Sequence, residues 1–597
     1  MKKTRTAKQT LWLVILSLAV IYLQHFQLNY SASIGLMDNL TVGVPYQLLG
    51  MAIVSLPFLL FLILSGHAVF SLVCSGVLAT LLSFANYYTY LYHGSPALAS
   101  DFYSLSTALN VLSEYSFKPD GFVLRLAAVF VLELILILIL KRILGKSGSS
   151  LPRTGAFAAL FAELVLLWFV FFSPWTLFPK NLVTFSWTTS FREYGYETCF
   201  ANSIYSLSHK FIRPEGYSAD LISTDDIETE KDSTLSEYPD IVVILNETLC
   251  NLDYCIDVPE GKEALRAIDE IDGIISGYSV ASLVGGGTNN SEYELLTSNS
   301  MELFAVSAPF QIMDLRNANS LVSYLEKLGY YTAGMHCGSP TNYARSRAYS
   351  QLGFDDVYLG SDSFTKNYYG SRPWRDIDNY RDMTGYYEAA PDQPRFMYLL
   401  SFQNHGGYEQ NDPEMDTVSV AGDYGEYTDD ITEFLTSIEM SAQAFRDLCA
   451  YYENQDRPAI ILMVGDHAPA FISSLSYRDG LNETEKKIAD RVVPYYVWSN
   501  IGLDRNLFPE YTSMVDLVPL ILNASGMPMS PYYSEIVKLN EELPVRTADA
   551  YYLDREGRTG LIDEDAGYSE LIRNYRYMEY NNLIKGNDYR RELFETE

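Results

Sequence analysis

Residues 282–298 read SLVGGGTNNSEYELLTS, and the reading of this stretch decides how the rest of the chain is understood. Three consecutive glycines, Gly285 to Gly287, deliver one hydroxyl, Thr288, on backbone that approaches a ligand closely because no Cβ stands in the way. Thr288 is therefore a candidate nucleophile. The same letters also fit a glycine loop followed by a helix N-cap, with Thr288 or Ser291 capping and Glu292 or Glu294 in the first turn. Which of the two holds depends on what else points at the loop.

Around it, short apolar runs end in polar side chains. Residues 241–245 (IVVIL) run into Asn246 and Glu247, 331–335 into His336, 396–402 through Gln403 and Asn404 to His405, and 460–464 through Gly465 to Asp466 and His467. These runs alternate with amphipathic stretches such as 318–328 and 433–452, which predicts an α/β domain on a central, largely parallel, buried sheet. Ligands bind beyond the carboxyl ends of such strands, so the four polar ends are expected on one edge with the glycine loop. A carboxylate, an Asp–His pair and a threonine oxygen form an oxygen-rich donor set with one imidazole. That set suits Mn²⁺ or Mg²⁺ better than a sulfur-preferring ion, and leaves Zn²⁺ open. Of the 7 histidines only His336, His405 and His467 lie in this region, which favours one ion over a histidine-rich pair of zincs.

The first third of the chain has a different character. Apolar runs at 10–28, 46–65, 67–92, 122–140 and 155–175 predict five membrane-spanning helices, the first retained as an anchor rather than cleaved. Lys2, Lys3, Arg5 and Lys8 precede the first run, and Lys141, Arg142, Lys146 and Arg153 lie between the fourth and fifth. The positive-inside rule makes both clusters cytoplasmic, so the loops 29–45 and 93–121 and everything after the fifth span fall outside the cell. A net charge of −32, concentrated after the fifth span, argues against nucleic acid or an anionic membrane surface as a simple electrostatic partner. The 6 cysteines have no metal-finger spacing; Cys250 and Cys255 are either bridged or buried free thiols. The expected organisation is a membrane domain over 1–178, a juxtamembrane segment and acidic linker over 179–237 (Asp225, Asp226, Glu228, Glu230, Asp232), a globular domain over 238–545, and a C-terminal segment over 546–597 packing on it.

The order of motifs resembles the lipoteichoic acid synthase and phosphoglycerol transferase family, a sulfatase-like branch of the alkaline phosphatase superfamily. The carrying stretches are the strand ending in Asn246-Glu247, GGGTNNSEYELL, HCGSPTNYARSRAYSQLGFDDVY at 336–358, QNHGGY around His405, VGDHAP at 464–469, and the downstream VVPYYVWSN and MVDLVPLILNASGMP. The resemblance implies a five-helix membrane domain followed by an extracellular sulfatase-like domain. It implies that Glu247, Thr288, Asp466 and His467 hold one metal ion, usually manganese, and that Thr288 is also the nucleophile. Arg345 then holds the phosphate, and His405, His336 and Tyr343 contact substrate. The implied reaction moves phosphoglycerol from phosphatidylglycerol in the outer leaflet to a glycerol-phosphate polymer or glycolipid acceptor. Phosphodiesterases, sulfatases and phosphoethanolamine transferases share the scaffold and stand as the alternative. The chain departs from the family at Tyr343, where tryptophan is frequent, at Gly338, where an acidic or amide residue is common, and at Gly287, where lysine is frequent.

Overall fold

The fold was obtained as a computed structural model, which describes residues 6–595 except 33–41, 94–95, 100–119, 149, 174–186, 209, 225–234, 236, 306, 308, 317, 341, 369–372 and 409–415. The acidic stretch from Asp225 to Asp232 and most of the loops 29–45 and 93–121 therefore lie outside the described residues. Contacts divide the described chain into two compact units, one ending at residue 208 and the other beginning at residue 210.

In the first unit the five expected spans are five helices, each long and apolar enough to cross a membrane: α1 (Ala7–Ser31), α2 (Val44–Ser65), α3 (Ala68–His93), α4 (Gly121–Gly148) and α5 (Arg153–Phe172). Thr6 opens α1 with a reciprocal capping box to Gln9. The tight connection between α2 and α3 turns on Gly66, whose φ of 72° ends α2 in the left-handed region. Val20, Ile21, Leu72, Leu126 and Leu140 are enclosed between the helices, whereas Leu124, Phe157 and Leu164 stand exposed. Helices that are apolar all round, with large apolar side chains on the outer face, match a bilayer rather than water.

The second unit is built on an eight-stranded sheet: β1 (Asp240–Asn246), β2 (Ile275–Val280), β3 (Tyr331–His336), β4 (Asp356–Leu359), β5 (Arg395–Leu400), β6 (Ala459–Gly465), β7 (Val492–Ser499) and β8 (Tyr511–Ser513). Their order is β4-β3-β5-β1-β6-β7-β2-β8. β7 pairs antiparallel with both β6 and β2, and the other neighbours pair in parallel. Both faces of β1 are covered, which is why its sequence is a continuous apolar run rather than an alternation. Val242 and Ile244 pack in one cluster with Phe434 and Ile438 of a long helix and Tyr380 and Met383 of another.

Register sets the level at which the strands stop. Leu245 pairs with Leu400, Leu400 with His336, and Asn246 with Gly465. Glu247, Ser401 and Asp466 thus leave the sheet side by side on one edge. The helices that matter at this edge are α6 (Thr288–Thr297), α7 (Arg345–Leu352), α8 (Asp376–Ala389) and α9 (Thr428–Glu453). Behind the far end of α6, a three-stranded antiparallel sheet of β9 (Val545–Arg546), β10 (Tyr551–Leu553) and β11 (Thr559–Leu561) leads into α10 (Ala566–Ile584). Tyr575 of α10 donates to the Ser298 carbonyl at 3.2 Å, and Asn582 donates to Asn299 at 3.2 Å. All 6 cysteines are free, so of the two readings of Cys250 and Cys255 the buried-thiol one holds.

Candidate active site

Glu247, Asp466 and His467 are brought together at the edge where β1 and β6 end, and one ligand atom from each lies within 4.8 Å of the others. All three are buried. Asp466 is fixed by its Oδ1, which accepts from the backbone N–H of Thr248 at 2.7 Å and of His467 at 2.8 Å. Its Oδ2 has no hydrogen bond among the described residues and lies 3.2 Å from His467 Nε2. His467 donates from Nδ1 to the Ala468 carbonyl at 3.1 Å, which turns Nε2 towards Asp466 and towards Glu247 Oε1 at 3.7 Å. Glu247 accepts from the Thr248 hydroxyl at 2.9 Å. Burial, then the Asp466 carboxylate beside it, pushes the Glu247 carboxyl well above the ordinary carboxylate range.

Two carboxylates and an imidazole whose acceptor atoms face one another repel unless something positive stands between them. The orphaned Asp466 Oδ2 and the outward-committed His467 Nδ1 leave O, O and N donors, a set that fits one divalent cation of the oxygen-preferring kind.

Thr288 begins α6 after Gly287, which occupies the left-handed region at φ 77°. No side chain caps this helix, so the helix-cap alternative for Thr288 and Ser291 does not hold. Ser291 instead donates to the Asp466 carbonyl at 2.6 Å, and Gly285 N–H donates to the Ala468 carbonyl at 2.9 Å, so the loop and the Asp466–His467 segment are laced together. A Cβ added at Gly287 would meet Leu283 Cδ1 at 2.6 Å. A lysine at this position would need both a new backbone conformation and a smaller residue 283, which is a physical reason for glycine here.

Arg345 starts α7 and is buried. Its Nε donates to Glu292 Oε2 at 2.9 Å, not to Asp355 or Asp356, and Tyr349 donates to the other Glu292 oxygen at 2.5 Å. Burial works against the charge on Arg345, and Glu292 outweighs it, so the guanidinium pKa is raised. Tyr343 and Ala344, just before it, both sit in the left-handed region at φ 51° and 58°. Strain of this kind in non-glycine residues marks backbone held for a purpose. The guanidinium lies 5.0 Å from the centre of the Tyr343 ring. His336 donates from Nδ1 to the Leu400 carbonyl at 3.1 Å and presents Nε2 to Arg345 Nη1 at 3.4 Å, with burial and then Arg345 holding its pKa well below the usual value. A Cβ at Gly338 would lie 2.4 Å from His336 Nε2, so the imidazole fills the room that a side chain at 338 would need. His405 donates from Nδ1 to the Gly406 carbonyl at 3.2 Å and stacks on Phe402, whose ring also meets His336 edge-on.

Several residues were not legible as site residues. Glu292 reads in sequence as a first-turn acid, yet it is the partner of an arginine 53 positions away. Behind Glu247 and His405, the buried Asp376 accepts from Asn246 at 2.9 Å and from Ser441 at 2.7 Å, and Asn404 donates to Asn246 at 2.9 Å. Both asparagines stand next to a predicted site residue, which was the available signal; Asp376 had none. Asn290, 1% exposed, has neither amide atom hydrogen-bonded among the described residues.

Glu294, further along α6, accepts from Ser282 Oγ at 2.5 Å and Met301 N–H at 2.9 Å, and burial pushes its carboxyl from 4.5 up to about 7. A folded pKa above the unfolded one confers stability that is complete below pH 4.5 and lost as pH rises through about 7. Urea unfolding between about pH 5 and about pH 8 is expected to show about 3 kcal/mol less stability at the higher pH than Glu294→Gln shows over the same interval. An unchanged difference between the two proteins across that interval would contradict this.

The family model for Sulfatase matches residues 239–527. A protein of Rhizobium meliloti (strain 1021) named "Putative cyclic beta-1,2-glucan modification protein" is 24% identical over 436 residues, which are 68% of this chain and 64% of that protein. The chain thus spans less than two thirds of that relative's length. Among solved structures, the phosphoglycerol transferase GacH of Streptococcus pyogenes, in complex with sn-glycerol-1-phosphate, is similar at 18% identity and a TM-score of 0.48, over 64% of this chain and 97% of that one. Lipooligosaccharide phosphoethanolamine transferase A of Neisseria meningitidis, an integral membrane protein, is similar at 12% identity and a TM-score of 0.46, over 86% of this chain and 95% of that one. With its largely parallel sheet and a carboxylate–imidazole set that could hold a metal ion at the strand ends, the second unit matches the Sulfatase family model over residues 239–527, and the five apolar helices before it make the chain a multi-pass membrane protein.

Proposed function

We propose that the chain is a membrane-anchored, metal-dependent phosphoglycerol transferase, which moves phosphoglycerol from phosphatidylglycerol to a glycerol or sugar hydroxyl of a cell-envelope polymer through a covalent intermediate on Thr288. One juxtaposition carries the reading: a buried three-ligand set within 4.8 Å, laced by Ser291 to the helix that Thr288 heads. Glu247, Asp466 and His467, with the Thr288 hydroxyl, would hold one divalent ion, Mn²⁺ in the resembled family. Such an ion, when bound, lowers the pKa of a coordinated hydroxyl and offsets phosphate charge.

The residues divide the work as follows. Thr288 Oγ forms a bond to phosphorus, the bond from phosphorus to the diacylglycerol oxygen breaks, and the threonine proton ends on that oxygen. An acceptor hydroxyl then bonds to the same phosphorus, the bond to Thr288 Oγ breaks, and the acceptor's proton returns to Thr288. His405 carries the proton in each half. Arg345, held at Nε by Glu292, offers its remaining N–H groups to the phosphate oxygens, and the neutral His336 and Tyr343 face the headgroup. The basic residues before α1 and between α4 and α5 support a cytoplasmic N-terminus and an external sulfatase domain, next to the outer leaflet that holds the donor. A relative named for modifying a cyclic glucan supports a sugar hydroxyl as acceptor.

The test is to incubate the purified full chain with phosphatidylglycerol and Mn²⁺, then follow diacylglycerol and the mass of the Thr288 peptide. Expected are diacylglycerol release, a glycerophosphate adduct on Thr288, loss of both after chelation, and return of both on adding Mn²⁺. Turnover that survives chelation would overturn the metal reading. A phosphoethanolamine adduct from phosphatidylethanolamine, with none from phosphatidylglycerol, would select the alternative donor.

A further inference from the structure

The membrane unit encloses polar side chains that an anchor has no use for. Along α1, Gln24, Gln27 and Ser31 meet α3: Gln24 donates to Ser75 at 3.2 Å, Thr80 donates to Gln27 at 3.3 Å, and Asn86 donates to Ser31 at 3.0 Å. All six are buried. Against this seam α4 brings Glu133, which has no exposed surface. Its carboxyl and the Gln24 amide converge on Gly76 of α3. A Cβ there would stand 2.7 Å from Glu133 Oε2 and 3.4 Å from Gln24 Nε2, so the glycine makes the room the carboxyl occupies.

Among the described residues, neither oxygen of Glu133 nor Gln24 Oε1 has a partner within 3.5 Å, and the donor nearest the carboxyl is the Gln24 amide. No lysine, arginine or histidine pairs with Glu133 among the described ion pairs of this unit. Buried polar groups in a bilayer are costly unless partnered, and ionisable ones inside a bundle mark sites. The three orphaned atoms are all acceptors, so the missing partner is positive. A proton on one carboxyl oxygen would reach Gln24 Oε1 and so competes with a metal cation for the same atoms. A divalent ion would add two positive charges against one carboxylate, in surroundings that are otherwise neutral amides and hydroxyls.

We propose that the seam between α1, α3 and α4 binds one monovalent alkali cation, held by the Glu133 carboxylate and the Gln24 side-chain carbonyl beside Gly76. Ser75 borders the site, and the ion ties α1 to α4 across Gly76 of α3. This site is separate in residues and in charge type from the Glu247–Asp466–His467 set, and it does not depend on the transfer chemistry.

The full chain in lipid nanodiscs is equilibrated with Na⁺, K⁺ or Li⁺ at constant ionic strength and fixed pH, with N-methylglucamine as the replacement cation. Two quantities are read: saturable binding of radioactive sodium or rubidium, and modification of Glu133 by dicyclohexylcarbodiimide, followed by mass spectrometry. One ion per chain is expected in the native protein, with binding lost in Glu133→Gln. At an ion concentration about a hundred times its Kd, labelling of Glu133 should slow about a hundredfold, while Glu163, bonded to Ser55 on another helix pair, serves as the reference. Absence of saturable binding for all three ions overturns the proposal. So does binding that survives in Glu133→Gln, or labelling of native Glu133 that follows pH alone and ignores the alkali cation. The labelling arm uses the native chain, so the outcome stands even where Glu133→Gln fails to fold.

Discussion

Thr288→Ala is expected to abolish transfer while leaving the fold and the metal set in place. Thr288 makes no capping bond, and the loop that carries it is held by Gly285 and Ser291, so the side chain can be shortened without loosening α6. Loss of a covalent nucleophile removes a whole reaction path rather than one contact, and the expected fall in diacylglycerol release is on the order of 10⁴-fold or more. Binding of Mn²⁺ should weaken less, because Glu247, Asp466 and His467 remain. Thr288→Ser keeps a hydroxyl at the same place and should retain measurable turnover. Calorimetric titration of Mn²⁺ into Thr288→Ala, set beside diacylglycerol release, separates the two effects. Turnover unchanged in Thr288→Ala sinks the covalent mechanism. Turnover lost together with all metal binding would recast Thr288 as a ligand alone.

What the sequence made legible at this site is the part encoded locally. A parallel strand buried on both faces is apolar throughout and turns polar where it leaves the sheet, so Glu247, His336, Asp466 and His467 stand at or just past the ends of such runs, and His405 follows one after a short polar link. Membrane helices are equally legible, because a bilayer leaves no alternative to about 20 apolar residues. The features that were not legible depend on long-range pairing. Glu292 finds Arg345 only once β3 and its following loop fold back, and Asp376 reaches Asn246 from a helix 130 positions further along. β2 was hidden for another reason. Its sequence ISGYSV, with an exposed Ser276 and a central Gly277, lacks a long apolar run, and Gly277 is there because a Cβ would collide with the Tyr495 ring of β7 at 2.5 Å. The departures from the resembled family follow the same logic: Gly287 and Gly338 each leave space that a neighbour, Leu283 or His336, has taken.

Replacement of Arg345 should damage both stability and activity, and the two can be pulled apart. The Arg345–Glu292 pair is 3% and 0% exposed, so Arg345→Ala leaves a carboxylate buried without its cation, an arrangement that costs about 3–5 kcal/mol. Burial already raises Glu292 against the pull of Arg345, so removing the arginine lets its pKa rise further and lets Glu292 take a proton instead. Glu292→Gln added to Arg345→Ala supplies a neutral side chain that still accepts from Tyr349, and most of the lost stability should return. Activity should not return. The phosphate fork is gone in both proteins, and removing donors aimed at developing charge typically costs about 10²–10³-fold in rate. Arg345→Lys tests the geometry from the other side: one ammonium cannot engage Glu292 and also present a planar fork to phosphate, so it should recover stability ahead of rate. Thermal unfolding and diacylglycerol release measured on the three variants decide the matter. If the double variant regains turnover in step with stability, Arg345 is a structural counter-ion to Glu292 and another group must hold the phosphate.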